Sequence, residues 1–246
     1  KALFVSSSQC DRKSVLGSTI NINLTDPINV YNKKVRVLSS NFWYSFPNIS
    51  PELNNNTVRI EYALSTHTFT FAKGIYSLTD IQERLAELLE INLWPSNLID
   101  LIPDEATNKI TMRIKPNNLG FVMNMEHAEN KLFKDYLGFT GVAIEAVDFQ
   151  YESTERANLN INNSLYINVS FATGSYYNQF SGSNIVGVVS LSKAPNTLIN
   201  TVDSNPVISD CLGEKINQFQ IWITNERNEL LDMGGEDFNL VLEIMD

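Results

Sequence analysis

The residues best suited to chemistry in this chain are two carboxylates that follow a pair of glycines, in Gly234-Gly235-Glu236-Asp237. Paired carboxylates can hydrolyse glycosidic bonds, and carboxylate oxygens can hold Ca²⁺. Adjacent residues of a strand point to opposite faces, so Glu236 and Asp237 cannot easily converge on one ligand. The segment therefore predicts a hairpin turn with solvated acids, and we expect no metal there.

The other residue types that support catalysis are scarce and isolated. A nucleophile needs a base within reach, and neither histidine, His67 or His127, lies in a Ser or Cys motif. Zinc prefers clustered Cys and His, whereas Cys10 and Cys211 lie far apart and are expected to be free thiols. The sequence also lacks the Gly-rich turns that hold phosphates or dinucleotides. We therefore predict no catalytic residue, no metal and no cofactor, that is, a protein that is not an enzyme.

The charge balance argues against nucleic acid as a partner. The 246 residues include 28 acidic and 18 basic side chains, which gives a net charge of −10. Nucleic-acid binding draws on a stripe of Lys and Arg that neutralises phosphates, and the close basic clusters are short, at 12–13 and 33–36. Apolar runs also stay far below the ~20 residues of a transmembrane helix. We predict no direct contact with nucleic acid and no membrane span.

Two polar loops carry apolar side chains that could serve recognition. The loop at 173–183 is rich in Gly, Ser and Tyr, a composition that suits sugar binding but favours aromatic contacts to another subunit. The segment 194–213 is predicted to be irregular, and loops of such length usually carry function or contact a partner. The candidate subunit interface drawn from both loops comprises Tyr176, Tyr177, Phe180, Ile199 and Val207.

The elements that must position these residues are mostly strands. Apolar and polar residues alternate along 165–171, 219–223 and 238–244, which is the period of a half-buried strand. Turn residues separate the runs, as in Asn225-Glu226-Arg227-Asn228. About ten to twelve strands are expected along the chain. The sequence thus predicts an all-β protein, a β-sandwich of two antiparallel sheets with long loops.

One short amphipathic helix is predicted over 78–94. The Ser77 side chain can cap the first turn of this helix, and the Asp80 side chain, three residues later, can complete the capping box. Ile81, Leu85, Leu88 and Leu89 fall on one stripe. We expect this stripe to pack on a sheet of the same chain; the alternative is a helix that binds a partner.

Three segments, taken in order and spacing, resemble a known family. The segment His67–Leu89 gives a strand, then Gly74-Ile75-Tyr76, then a Leu-rich helix; Leu137-Gly138-Phe139 follows a strand and turn; Leu231–Ile244 gives the terminal strand pair. In these features the chain resembles the penton (vertex, or minor capsid) proteins of virophages and of Polinton-like or adintovirus-like elements. The resemblance covers most of the chain from about residue 20.

The resemblance implies a structural viral capsid protein. It implies a single jelly roll over 19–246, with 60–139 either part of it or an addition to it, and an N-terminal arm at 1–18 that is loose or lies on a neighbour. The expected assembly is a homopentamer, a penton, at the fivefold vertices of an icosahedral virion, in contact with a major capsid protein of the double-jelly-roll type. Such a protein would be assembled inside the host cell, and the family offers no catalytic residues.

A second class of function stays open on the sequence. The chain could be a carbohydrate- or receptor-binding β-sandwich module, such as a fibre head, that binds sugar through Tyr176 or Tyr177. A glycan array separates these two hypotheses. A third class, an enzyme on a β scaffold, also stays open, and bound product or metal in a structure would support it.

Overall fold

The structure is a computed structural model. It describes the chain apart from residues 11, 116–119, 142, 146–149, 161, 178–179, 194 and 203–205, and apart from the side chains of 12–13 and 175–183. The strands are β1 Ala2–Ser6, β2 Arg12–Lys13, β3 Thr19–Asn29, β4 Lys34–Trp43, β5 Thr57–Tyr62, β6 Ser65–Thr70, β7 Ile99–Asp104, β8 Lys109–Ile114, β9 Val122–Asn124, β10 Ala143–Glu145, β11 Gln150–Glu152, β12 Ser164–Val169, β13 Ala172–Thr173, β14 Ser175–Tyr177, β15 Phe180–Ser183, β16 Ile185–Ser190, β17 Leu198–Val202, β18 Ser209–Cys211, β19 Lys215–Thr224 and β20 Asn239–Met245. The α-helix α1 spans Leu78–Ile91, two 3-10 turns span Ser7–Gln9 and Ala128–Asn130, and a π-helical turn spans Leu132–Tyr136.

The chain forms two compact units. Unit 1 comprises Lys1–Phe46 and Asn162–Asp246, and unit 2 comprises Pro47–Ile161. Unit 2 is therefore an insertion in the connection between β4 and β12 of unit 1. The segment 60–139, which the sequence left as either part of the jelly roll or an addition to it, falls wholly inside unit 2.

Unit 1 is a jelly-roll β-sandwich, as predicted. Its first sheet, sheet I, has the order β1-β20-β4-β18-β13, with β17 also paired to β4; its second, sheet II, has the order β16-β12-β19-β3-β2. The late strand β20 lies between the early strands β1 and β4, and the late strand β19 lies between β3 and β12. All four of these pairings are antiparallel, and this interleaving of early and late strands is the connectivity of a jelly roll.

The inward faces of the two sheets share one apolar core. Alternation along each strand sends every second side chain into it, because successive residues point to opposite faces. Buried members from sheet I include Val35, Val37, Phe42, Leu240 and Leu242, and those from sheet II include Ile20, Leu165, Ile167, Ile221 and Ile223.

The N-terminal residues belong to the sandwich, which corrects the expected arm at 1–18 for this part. Residues 2–6 form β1, an edge strand whose Val5 is buried opposite Leu240. Beyond it, Ser7 N donates to Phe238 O at 2.9 Å, and Phe238 N donates to Ser7 Oγ at 2.9 Å. The physical reason is the short alternation of Leu3 and Val5, which supplies one apolar face to the edge of sheet I.

The segment 194–213 is also more regular than the sequence predicted. It contains β17 and β18, both paired to β4, with Leu198 opposite Trp43 and Ser209 opposite Val35. Proline at 195 and 206 lies outside both strands, where its missing N–H costs no ladder hydrogen bond.

Unit 2 has its own core, built from the sheet β10-β9-β5-β6, the sheet β11-β8-β7 and α1. The predicted cap of α1 is confirmed: Asp80 N donates to Ser77 Oγ at 3.2 Å, and Ser77 N donates to Asp80 Oδ2 at 2.7 Å. Ile81, Leu85 and Leu89 are fully buried within the unit, so the helix stripe packs on its own chain.

Candidate assembly surface

The predicted interface residue Ile199 lies in the wrong place for a subunit contact. It belongs to β17, opposite Phe42 of β4, and its side chain is only 3% exposed in the core of unit 1. The sequence prediction failed because the irregular segment expected there is a strand, and its alternation turns this side chain inward. Ile199 is therefore removed from the candidate interface.

The other predicted interface residues stay predictions. Tyr176, Tyr177 and Phe180 lie in β14 and β15, which pair antiparallel, but their side chains are outside the described part of the chain. Val207 is half-buried in the connection between β17 and β18. The sugar-binding alternative depends on the same tyrosines and has no structural support here.

The thiols are placed for packing more than for reaction. Neither Cys10 nor Cys211 forms a disulfide, and Cys10 Sγ donates to Ser6 O at 3.2 Å. Burial, helped by the negative charge of Asp210, raises the pKa of Cys211 to about 11. The thiolate is the nucleophilic form, so this thiol is a weak nucleophile at neutral pH.

The acidic segment after the glycines is a structural turn, as predicted. Gly234 and Gly235 both have positive φ, 61° and 85°, which glycine adopts without steric cost. Asp237 Oδ1 accepts a hydrogen bond from Ser7 Oγ at 2.8 Å, so this carboxylate holds the end of β1. Within the described residues, no group of three or more His, Cys, Asp or Glu side chains is arranged to hold a metal ion. In the same part of the chain, α1 and the other helices are too short or too polar to cross a membrane.

The outer face of sheet I is largely free of charge. The strand register places residues in rows across β1, β20, β4 and β17, and opposite residues point to the same side of an antiparallel sheet. One row is Phe4, Val241, Ser39 and Val202; the next is Ser6, Asn239, Asn41 and Asn200; a third pairs Trp43 with Leu198. Phe4 and Val202 are 83% and 84% exposed. This uncharged set is called face I below.

The charges of this side of the sheet lie at one end, where two ion pairs form and Lys34 lies opposite Asp210 of β18. The row beyond Phe4 pairs Arg36 with Glu243, whose Nη2 and Oε2 atoms are 2.6 Å apart. Lys33 and Asp246 form a further ion pair at the same end. An interface on face I would therefore bury apolar and amide groups without taking an unpaired charge out of water.

The outer face of sheet II carries few charges along matching rows: Arg12 of β2 lies opposite Asn21 of β3 at one edge, and Asn168 and Thr224 on this side are already buried. Val188, Tyr166 and Thr224 form one row across β16, β12 and β19, and Asn168, Trp222 and Thr19 form another across β12, β19 and β3. Two further pairs are Gln220 with Asn21 and Gln218 with Asn23, and Gln220 Nε2 donates to Asn21 Oδ1 at 3.2 Å. This set is called face II.

Both faces have the composition of interfaces between proteins. The cores of such interfaces are depleted of charged residues and enriched in aromatic ones. Face I carries Phe4 and Trp43, and face II carries Tyr166 and Trp222. The sequence held a signal for face II, since every outward residue of 218–224 is uncharged, but face I required the register of β1 and β17.

Comparisons with known proteins find similarity among solved structures. A scan against protein-family models and a search of curated proteins both find no match. Among solved structures, the chain is similar to the crystal structure of the mavirus penton protein, with a TM-score of 0.50 and 14% sequence identity. The similarity covers 99% of this chain and 98% of that one. At this identity the likeness concerns architecture, and the chain has the fold of the mavirus penton protein.

Proposed function

We propose that this chain is a structural capsid protein of a virion, a penton, and not an enzyme. In this proposal it forms homopentamers that close the fivefold vertices of an icosahedral shell. There it contacts a major capsid protein of the double-jelly-roll type. Assembly takes place inside the host cell.

The observation that carries the proposal is the length of the structural likeness. The similarity to the mavirus penton protein spans nearly the whole of both chains, so it includes unit 2 as well as the jelly roll. Jelly rolls serve many functions, and a match to the sandwich alone would say little. A match that also covers the insertion supports the same use of the fold.

Face I and face II, which carry few charges, are suited to the contacts that a ring needs. Cyclic assembly repeats one heterologous contact, in which two different patches of each subunit meet. Face I and face II lie on the outer sides of the two sheets of one sandwich. Each can be buried with little charge desolvation, so one face of a subunit suits the opposite face of its neighbour.

The direct test is the mass of the protein in solution. We expect light scattering across a concentration series to approach five times the 27.8-kDa chain mass. Replacing Phe4 and Val202 together with Glu should leave the fold intact and lower the associated fraction, because it places a charge at each end of one row of face I. Val15→Glu is the matched control, since Val15 is equally exposed and lies in the turn before β3.

A strict monomer at every concentration, or a closed ring of another number, would contradict the pentamer. The vertex position needs a separate test by electron microscopy of intact particles. Vertex density that the chain cannot fit would end the capsid proposal even if a pentamer forms.

A further inference from the structure

Two leucines of unit 2 occupy backbone positions that L side chains rarely adopt. The first is Leu64, which with Ala63 forms the two-residue turn between β5 and β6, since Tyr62 pairs with Ser65. Their φ angles are 64° and 50°. A hairpin turn with positive φ at both central residues strongly prefers Asn-Gly or Asp-Gly. Ala-Leu in this turn is therefore strained.

The second is Leu93, directly after the end of α1. Leu93 N donates to Glu90 O at 2.9 Å, and Trp94 N donates to Leu89 O at 2.9 Å. These two bonds define a Schellman motif, in which the residue in the left-handed conformation is usually Gly and sometimes Asn. Leu93 fills that position with a φ of 60°.

Elsewhere the described chain follows the usual rule. Apart from Ala63, Leu64 and Leu93, the described non-glycine residues with positive φ are all asparagines, at 32, 54, 108, 196 and 228. The two leucines also gain nothing from burial, because Leu64 is 107% exposed and Leu93 is 94% exposed. A strained side chain that packs on no core does not help the fold, and such outliers concentrate at functional sites.

A rigid aromatic cluster holds both leucines. The Trp94 ring lies 5.3 Å from that of Tyr62 and 4.9 Å from that of His67, measured between centroids. Leu93 directly precedes Trp94, and Leu64 follows Tyr62 by two residues. Ile91, in the last turn of α1, is also exposed. Leu64, Ile91 and Leu93 are called the leucine patch.

The segments that carry the leucine patch leave one carboxylate, that of Glu90, without an ion pair among the described residues. The segments 61–67 and 86–97 contain Glu61, Glu87 and Glu90 and no Lys or Arg. Arg59 and Arg84 lie just outside these segments and pair with Glu61 and Glu87, whereas the structure gives Glu90 no ion pair among the described residues. Glu90 lies in the last turn of α1, where the helix dipole is already negative and a cation would be stabilising.

We propose that the leucine patch binds a segment of a different protein that carries apolar side chains next to Lys or Arg. Apolar side chains would cover the leucines, and a positive charge would meet Glu90 and the carbonyl end of α1. Anionic lipid fits less well because the helix end would repel the headgroups. The proposal goes beyond the capsid role and does not depend on it.

The test uses a random library of twelve-residue peptides selected against the full chain. We expect recovered peptides to combine Lys or Arg with aliphatic or aromatic residues. The key variant is Leu64→Gly with Leu93→Gly, which places the preferred residue at both positive-φ positions. It should raise the melting temperature and weaken binding of a recovered peptide at least tenfold. Val15→Ser, which removes an equally exposed apolar side chain from unit 1, should change neither quantity.

Several results would overturn the proposal. These are no enrichment in the selection, acidic recovered peptides, or unchanged peptide affinity in the double variant. Loss of self-association in the same variant would assign the leucine patch to a second copy instead. Flotation with zwitterionic vesicles that depends on both leucines would assign it to a lipid surface. The solution mass of the unmodified chain tests the capsid proposal separately, so failure of the peptide selection or of the peptide affinity measurement leaves that proposal unaffected.

Discussion

Gly187 in β16 and Val37 in β4 meet across the two sheets of unit 1 so closely that a Cβ on Gly187 would lie 2.8 Å from Val37 Cγ2. The same Cβ would lie 3.1 Å from Val37 Cβ, so a rotation of the valine would not relieve the contact. Glycine at this position therefore sets how near the two sheets can approach.

We predict that Gly187→Ala destabilises the sandwich. Overpacking a core in this way costs about 1–3 kcal/mol, measurable as a lower free energy of unfolding in urea. The double variant with Val37→Ala should lose less than the sum of the two single variants, because the shorter side chain makes room. Gly141→Ala is the control, since a Cβ there meets nothing within 4 Å. Equal losses for Gly187→Ala and Gly141→Ala would contradict the contact.

The apolar stripe of α1 gives a second prediction. Leu85 is fully buried in unit 2, so Leu85→Ala should lower the stability of that unit by about 2–4 kcal/mol. Leu88 is half-buried, and its replacement by Ala should cost less. Glu83→Ala, on the exposed side of the helix, is the control. A loss below about 0.5 kcal/mol for Leu85→Ala would restore the interpretation of α1 as a partner helix.

The cap of α1 predicts a pH dependence. Hydrogen bonds from the Ser77 side chain, and then from its backbone, lower the pKa of Asp80 below its ordinary value of 3.8. A lowered folded-state pKa contributes stability that is present above the ordinary value and is lost as the pH falls through the folded value. Ser77→Ala should cost about 1 kcal/mol at neutral pH.

The difference between wild type and Ser77→Ala should shrink in acid, as Asp80 becomes protonated in both. Denaturation curves recorded between neutral and acidic pH give this comparison. A difference that grows toward low pH would show that the cap does not depend on the ionised carboxylate.

The net charge of −10 predicts that the protein does not bind DNA. Binding that depends on phosphate neutralisation would need a basic stripe, and we expect no measurable affinity at about 150 mM salt. Fluorescence anisotropy with a labelled duplex is sufficient. Submicromolar affinity that falls steeply with added salt would refute this prediction.

Strands with strong alternation could be predicted from sequence, and weakly patterned ones could not. The runs that became β12, β19 and β20 have apolar residues at every second position, and their inward faces are buried as expected. The cap and stripe of α1 were predictable for the same reason, because they depend on residues three or four apart. In each case the pattern that predicts the element lies within a few neighbouring residues of the sequence.

The features that were missed depend on distant pairing. The short run at Ala2–Ser6 becomes a strand only because β20 offers it an edge, and β17 exists because β4 offers another. Ile199 was assigned to an interface because no local pattern shows which side of β17 faces the core. The strain at Leu64 and Leu93 likewise required the φ angles, since a leucine in a turn looks ordinary in sequence.

The position of unit 2 between β4 and β12 also sets the order in which the chain can fold during synthesis. When β3 and β4 leave the ribosome, their partners β19 and β20 are not yet made. At about 5–20 residues per second, translation of 47–161 alone takes on the order of ten seconds. Unit 2 can complete its own core in that interval. During the same time the apolar sides of β3 and β4 remain in the nascent chain without β19 and β20. The first forty-odd residues therefore stay without their late strand partners until the end of synthesis, and we expect a chaperone to act on this part of the chain.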